Sequence, residues 1–161
     1  MRDFIKIPKK RLDELKSKKR KLNKLQKLTN TKISINEDII IDGEGINIFQ
    51  TKNILKAFGR GFSIDDSLYL LDEEYSLEII NLKDYTKSKN RMIILKSRII
   101  GTKGKTKKYI EQYTNTKISI YGKTISIIGK WDKVNIAKKA ILMLIEGCSH
   151  TTLYKWLEQK C

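Results

Sequence analysis

The chain has 161 residues, 40% of them hydrophobic, which is enough apolar content for one ordinary domain or two small ones and excludes a wholly disordered chain. Its formal net charge is +16 and its pI about 9.8, a surplus that points to a polyanionic partner, nucleic acid first among them. No stretch reaches the ~20 apolar residues of a membrane helix, and the opening MRDFIKIPKK lacks the apolar run of a signal peptide.

Taken in chain order, Phe4–Ile7 is a short β-favouring run. Residues 9–27 then carry ten Lys or Arg against two acids. Leu12, Leu15, Leu22, Leu25 and Leu28 fall at helical spacings, which fits a helix–turn–helix or one longer, lightly kinked helix. TKISI alternates, with Ile33 and Ile35 on one face and Lys32 and Ser34 on the other, as a half-buried strand requires. A turn, NED, leads to a third strand at Ile39–Ile41, and a helix closes the series. Ser63 followed by Asp66 reads as the start of a further short helix. The charge reverses over residues 37–80, three cations against ten acids. That acidic middle is expected to face away from phosphates or to meet a basic protein partner.

Tyr75–Leu82 opens the same order again. The heptapeptide TNTKISI at Thr29–Ile35 recurs at Thr114–Ile120, and Leu15–Ile35 aligns with Ile100–Ile120 without a gap. Further on, IIIDG (Ile39–Gly43) meets ISIIG (Ile125–Gly129), and GFS meets GCS at 147–149. A period of about 86 residues is too long for a solenoid repeat and marks a duplicated domain. Each unit reads β-α-α-β-β-α, an α+β fold with one three-stranded sheet and three helices on a face. The expected division is 1–74 and 75–161, the two units packed together. Leu82 to Gly101 spans nineteen residues where Ile7 to Lys16 spans nine, so the second unit should carry an added turn of helix. Val134, Ala137, Ile141 and Leu144 share a helical face, Gly147 stops that helix, and Ser149 caps a last one at Thr151–Gln159.

The two units differ most where their first two helices meet. The second reads RIIGTKGKTKKYI over Arg98–Ile110, with Gly101 and Gly104 bracketing Thr102 and Lys103. Two positions without side chains let a sugar–phosphate strand approach the backbone. The helix beginning near Lys105 aims its free N–H groups at the same place, and Lys103, Lys105, Lys107 and Lys108 add charge. Ile99, Ile100, Ile118 and Ile120 are expected to offer an aliphatic surface for bases. In the first unit Lys16 and Lys19 stand in place of the glycines, which obstructs that approach. Charge there is left to contact phosphates without sequence preference, or to form a solvated face.

Other chemistry fails on spacing. GKT occurs at Gly104–Thr106 and Gly122–Thr124, but the glycine a phosphate-binding P-loop needs five positions earlier is Ile99 or Lys117. GEG at Gly43–Gly45 is not a dinucleotide fingerprint, because Ile48 occupies the last glycine site. Cys148 and His150 have no third orienting group, so no catalysis is expected. Two cysteines and one histidine with no CxxC give neither a structural zinc site nor a disulfide framework; no metal, no cofactor and a reducing cytoplasmic setting are expected.

The βααββα order with GxxG resembles a type I KH domain. The second half, SRIIGTKGKTKKYIEQYTNTKISIYGKTISIIG continuing to AKKAILMLIEGCSHTTLYKWLEQK, resembles the archaeal tandem-KH proteins of small-subunit ribosomal RNA processing, relatives of the eukaryotic partner-of-Nob protein. The likeness is strong over Arg98–Gln159 and looser in the first 60 residues. It implies binding near the 3′ end of small-subunit ribosomal RNA, and as partners a Nob-type endonuclease and the α subunit of initiation factor two. The RNA-binding residues so expected are Arg98, Ile99, Ile100, Gly101, Thr102, Lys103, Gly104, Lys105, Thr106, Lys107, Lys108, Lys117, Ile118, Ser119, Tyr121 and His150. Two other readings stay open: a protein-interaction scaffold whose RNA binding is incidental, and the other KH strand order, αββααβ.

Overall fold

In the computed structural model, which describes residues 1–160, each copy of the repeated heptapeptide bends a helix into a strand. Helix α2 (Lys19–Thr29) turns at Asn30 into β2 (Lys32–Ile35), and α6 (Lys105–Thr114) turns at Asn115 into β5 (Lys117–Tyr121). Both asparagines are left-handed, with φ of 53° and 51°, a conformation Asn tolerates better than other side chains. The flanking threonines are buried. Thr29 and Thr114 donate to the carbonyls of Leu25 and Ile110, and their hydroxyls pair with those of Thr31 and Thr116 at 2.7 and 2.8 Å. The side chains of Gln26 and Glu111 accept the amides of Ile33 and Ile118, the second residues of β2 and β5. Identity of the heptapeptide therefore reflects turn chemistry as well as the alternation of a half-buried strand.

The first unit, Met1–Glu73, runs β1 (Arg2–Ile5), α1 (Lys9–Ser17), α2, β2, β3 (Ile39–Asp42), α3 (Gly45–Gly59) and a short α4 (Ile64–Ser67). The second, Glu74–Cys161, runs β4 (Tyr75–Asn81), α5 (Lys89–Ile100), α6, β5, β6 (Thr124–Lys130), α7 (Trp131–Ile145) and α8 (His150–Lys160). Cys161 lies outside the described residues. Sheet orders are β1-β3-β2 and β4-β6-β5, with all pairs antiparallel. The fold is α+β as expected, and the antiparallel pairing of first and third strands rules out αββααβ. No helix among the described residues is long and apolar enough to cross a membrane.

The second core is built from Ile80, Leu95, Ile99, Ile110, Ile118, Ile127, Ile141 and Leu144, closed by Leu153 and Leu157 of α8. The added helical turn is present: α5 has 12 residues and α1 has 9. Ser63 and Ser149 accept the amides of Asp66 and Thr152, as their sequence positions suggest, and α8 begins one residue earlier than expected. Three details stand out. Strand β1 ends at Ile5 rather than Ile7, because Pro8, which has no N–H to give a sheet, starts α1. Of the two readings of the first-unit leucines, the helix–turn–helix holds: Lys18 (φ −102°, ψ 55°) separates α1 from α2, and Leu28 is exposed. Within the acidic middle, Asp42 pairs with Arg2, Asp65 with Lys21, Glu74 with Lys130 and Glu78 with Lys138, each inside its own unit.

Gly43 and Gly129 close each sheet against these turns. A β-carbon on Gly129 would stand 2.7 Å from the Thr116 methyl, and one on Gly43 would stand 3.1 Å from the Thr31 methyl. Gly129→Ala is therefore expected to lower stability by about 1–3 kcal/mol, the usual cost of overpacking, and Gly43→Ala by less, as measured by urea denaturation.

Candidate nucleic-acid interface

Helix α5 stops at Ile100, and the chain crosses to α6 in four residues. Gly101 takes φ 76° and ψ 172°, Lys103 is left-handed at φ 56°, and Gly104 at φ 75° is the residue before α6. The two glycines serve different needs. A β-carbon on Gly101 would lie 2.2 Å from Oγ1 of Thr106 and 2.8 Å from its backbone nitrogen. Gly101 is thus required by the packing of Thr106, which is buried, and not only by an approaching ligand. A β-carbon on Gly104 would meet nothing within 4 Å, so its backbone face is open. The first turn of α6 has no side-chain cap; the Gly104 and Lys105 N–H groups are bonded back to the Gly101 and Thr102 carbonyls, and the positive end of the helix faces this corner. Thr102, Lys103, Lys105 and Lys108 are exposed around it, while Lys107 leans toward Glu111 at 3.8 Å. In the first unit the corresponding crossing is the single residue Lys18, with no positive φ.

The expected set of site residues is divided by the fold. Gly101, Thr102, Lys103, Gly104, Lys105 and Lys108 come together, with Ile100 (36% exposed) beside them. Ile99 (0%) and Ile118 (4%) do not supply an aliphatic surface; both point into the core. Helical phase decides this, since burying an isoleucine contributes about 1.5–3 kcal/mol and α5 turns Ile99 inward with Met92 and Leu95. Thr106 is a packing residue. Arg98 is held by the end of α7, donating to the carbonyls of Leu144 and Cys148, so its guanidinium caps a helix. Lys117, Ser119 and Tyr121 alternate with Ile118 and Ile120 along β5 and so lie on the sheet face away from the helices. His150 opens α8, and its Nε2 donates to the Arg98 carbonyl at 2.9 Å.

Two features were missed by the sequence reading. Ile93 (61% exposed) and Ile94 (51%) stand on the outer face of α5. With Ser97, Gly101, Thr102 and Lys105 they line a groove of about 450 Å³ running to the corner. The available signal was a surplus: Met92, Ile93, Ile94 and Leu95 are consecutive, and a helix cannot bury four apolar residues in a row on one side. The second feature is an aromatic row. Tyr113 stacks on Tyr109 at 4.5 Å between ring centres, Tyr109 meets Tyr154 at 4.1 Å, and His150 stands 6.4 Å beyond. Tyr154 shares a hydrogen bond with Thr106 (3.1 Å), and Tyr109 donates to Glu158. The bond with Tyr113, burial and the Glu158 carboxylate together raise the Tyr109 phenol above its ordinary range. These rings fasten α8 to the Gly101–Thr106 corner. Their signal was two i,i+4 pairs, Tyr109/Tyr113 and His150/Tyr154.

Residues 76–161 match the family model for the second KH domain of PNO1, described as a eukaryotic type KH domain (KH-domain type I). A KH domain-containing protein of Methanocaldococcus jannaschii is 38% identical, over 98% of this chain and 73% of that protein. The pre-rRNA-processing protein pno1 of Aspergillus fumigatus is 33% identical over 64% of this chain; the matched part is 42% of that protein, so the chain spans less than half of this longer relative. Among solved structures, a chain of the a/eIF2alpha–aDim2p–rRNA complex from Pyrococcus horikoshii superposes with a TM-score of 0.90 at 36% identity, covering 99% of this chain and 93% of that one.

The unequal glycines give a test. Gly104→Ala meets only the cost of a left-handed alanine, about 1–2 kcal/mol. Gly101→Ala adds a collision with Thr106 and is expected to cost more, with the aromatic row disturbed. Thermal denaturation of the two variants, with near-ultraviolet circular dichroism of the tyrosines, compares them directly.

Proposed function

The chain belongs to the PNO1/Dim2 family of KH-domain proteins, and we propose that it is a single-stranded RNA-binding protein acting in small ribosomal subunit assembly and 3′-end ribosomal RNA processing. The observation that carries this reading is the corner itself: an open Gly104 backbone and an uncapped α6 amino end, ringed by Lys103, Lys105 and Lys108, none of which has an ion pair among the described residues. A strand of about four nucleotides fits such a corner, its phosphates toward the positive end of α6 and the exposed lysines and its bases toward Ile93, Ser97 and Ile100. The protein works by binding, in the cytoplasm, and no chemical step is assigned to it. Its modules are taken as 1–74 and 75–161, the second gripping RNA and the first supporting it. The proposed partners are the 3′ region of small-subunit ribosomal RNA, the α subunit of initiation factor two and a Nob-type endonuclease.

The double variant Thr102→Asp/Lys103→Asp tests the grip. Its affinity for a single-stranded fragment of the ribosomal RNA 3′ end should fall at least about tenfold. The slope of log K against log salt should flatten by about 0.7 for each phosphate that the variant no longer neutralises. Both are read by fluorescence anisotropy across a salt series. Unchanged affinity and slope would place RNA elsewhere.

A further inference from the structure

Three features meet on one side of the first unit. The first is an open strand edge, because β1 pairs with β3 alone. Gly43 donates its N–H to the Met1 carbonyl at 3.1 Å. In an antiparallel ladder that bond makes Met1, Asp3 and Ile5 the bonded positions, and it turns the backbone groups of Arg2 and Phe4 outward. The second is a cleft of about 820 Å³ between this edge and α3. Phe49 on its wall is 68% exposed and Phe4 is 56% exposed, apolar area of the kind that marks an interaction surface. The third is charge. Arg2, Lys6, Lys52, Lys56 and Arg60 line the cleft with Asp3; Arg2 is paired with Asp42 and Lys52 with Asp3, while Lys6 and Lys56 have no ion pair among the described residues.

That carboxylate is already engaged. Asp3 Oδ1 accepts the Phe4 N–H at 2.7 Å, and Oδ2 accepts Lys52 Nζ at 3.0 Å. It therefore occupies the outward donor of the edge and one cation of the cleft together, a guard of the kind that protects exposed strands from unwanted pairing. An incoming strand with a carboxylate replaces both bonds: its carbonyl takes the Phe4 N–H and its carboxylate takes Lys52.

We propose that this cleft docks an extended acidic segment of a protein partner, added to the sheet beside β1 with its apolar side chains against Phe49 and its carboxylates on Lys52 and Lys56. Strand addition of this kind takes its affinity from main-chain bonds and its specificity from alternate side chains. The outward carbonyls of Arg2 and Phe4 decide between classes of partner. They need N–H donors at strand spacing, which a peptide carries and a phosphate backbone lacks. The surplus of cations decides the sign of the partner's charge. This site lies in the first unit and is independent of the RNA-binding corner.

The full chain, labelled with ¹⁵N, is titrated with three probes at low salt. They are a synthetic peptide alternating glutamate with valine, its counterpart with lysine for glutamate, and a single-stranded RNA oligonucleotide. The acidic peptide is expected to move the amides of Arg2, Phe4 and Phe49, and the lysine peptide is not. Lys56 is exposed, so Lys56→Glu should leave the thermal midpoint unchanged while weakening the acidic peptide by about tenfold. Movement of the same amides by RNA and not by peptide would overturn the proposal in favour of a nucleic-acid face. Silence with all three probes, or an unchanged affinity in Lys56→Glu, would overturn it outright.

Discussion

The second unit depends on a contact that leaves no room for an atom. Thr106 sits over Gly101 so closely that any β-carbon there would overlap its hydroxyl. That closeness lets α5 and α6 join through a tight crossing while both keep their apolar faces on one core, through Ile99 on one side and Ile110 on the other. It also sets Thr106 within reach of Tyr154, and through Tyr154 ties in the aromatic row and α8. The exposed residues Thr102–Gly104 are held in position from below. A corner made this way is preorganised and has little conformational freedom left to lose.

Comparison of the two units shows which parts of the fold both keep and which have diverged. Both keep the buried threonine pair, the left-handed asparagine and the glycine that packs on the second threonine. The crossings have diverged together with what lies beneath them. Lys16 stands where the second unit has Gly101, and Lys21 stands where it has Thr106. Lys21 pairs with Asp65 instead of filling a space above a glycine. Once the seat beneath it is gone, nothing in the first unit asks for a residue without a side chain.

Much of this was legible in the residues. The duplication, the strand alternation of TKISI, the longer α5 and the helix starts at Ser63 and Ser149 all follow from short-range rules, and the structure has them. What escaped depends on helical phase and on neighbours far apart in sequence. Ile99 and Ile100 are chemically alike, and only the rotation of α5 against the core sends one inward and the other out. Arg98 borders the groove beside the corner, but its partners, the Leu144 and Cys148 carbonyls, lie about fifty residues on and are not visible from its neighbours in sequence. The tyrosines of α6 and the His150/Tyr154 pair of α8 show an i,i+4 spacing in the sequence, but nothing in that spacing says that the two helices touch.

The internal pairing of the acidic middle has a kinetic consequence. Asp42, Asp65, Glu74 and Glu78 cancel cations of their own unit at close range. Beyond a Debye length, about 8 Å at physiological salt, such pairs contribute little field. The field a distant polyanion feels comes mainly from lysines with no such partner, Lys103, Lys105 and Lys108 among them. Any polyanion that approaches this unit is steered by those solvated lysines, at a rate that falls with ionic strength.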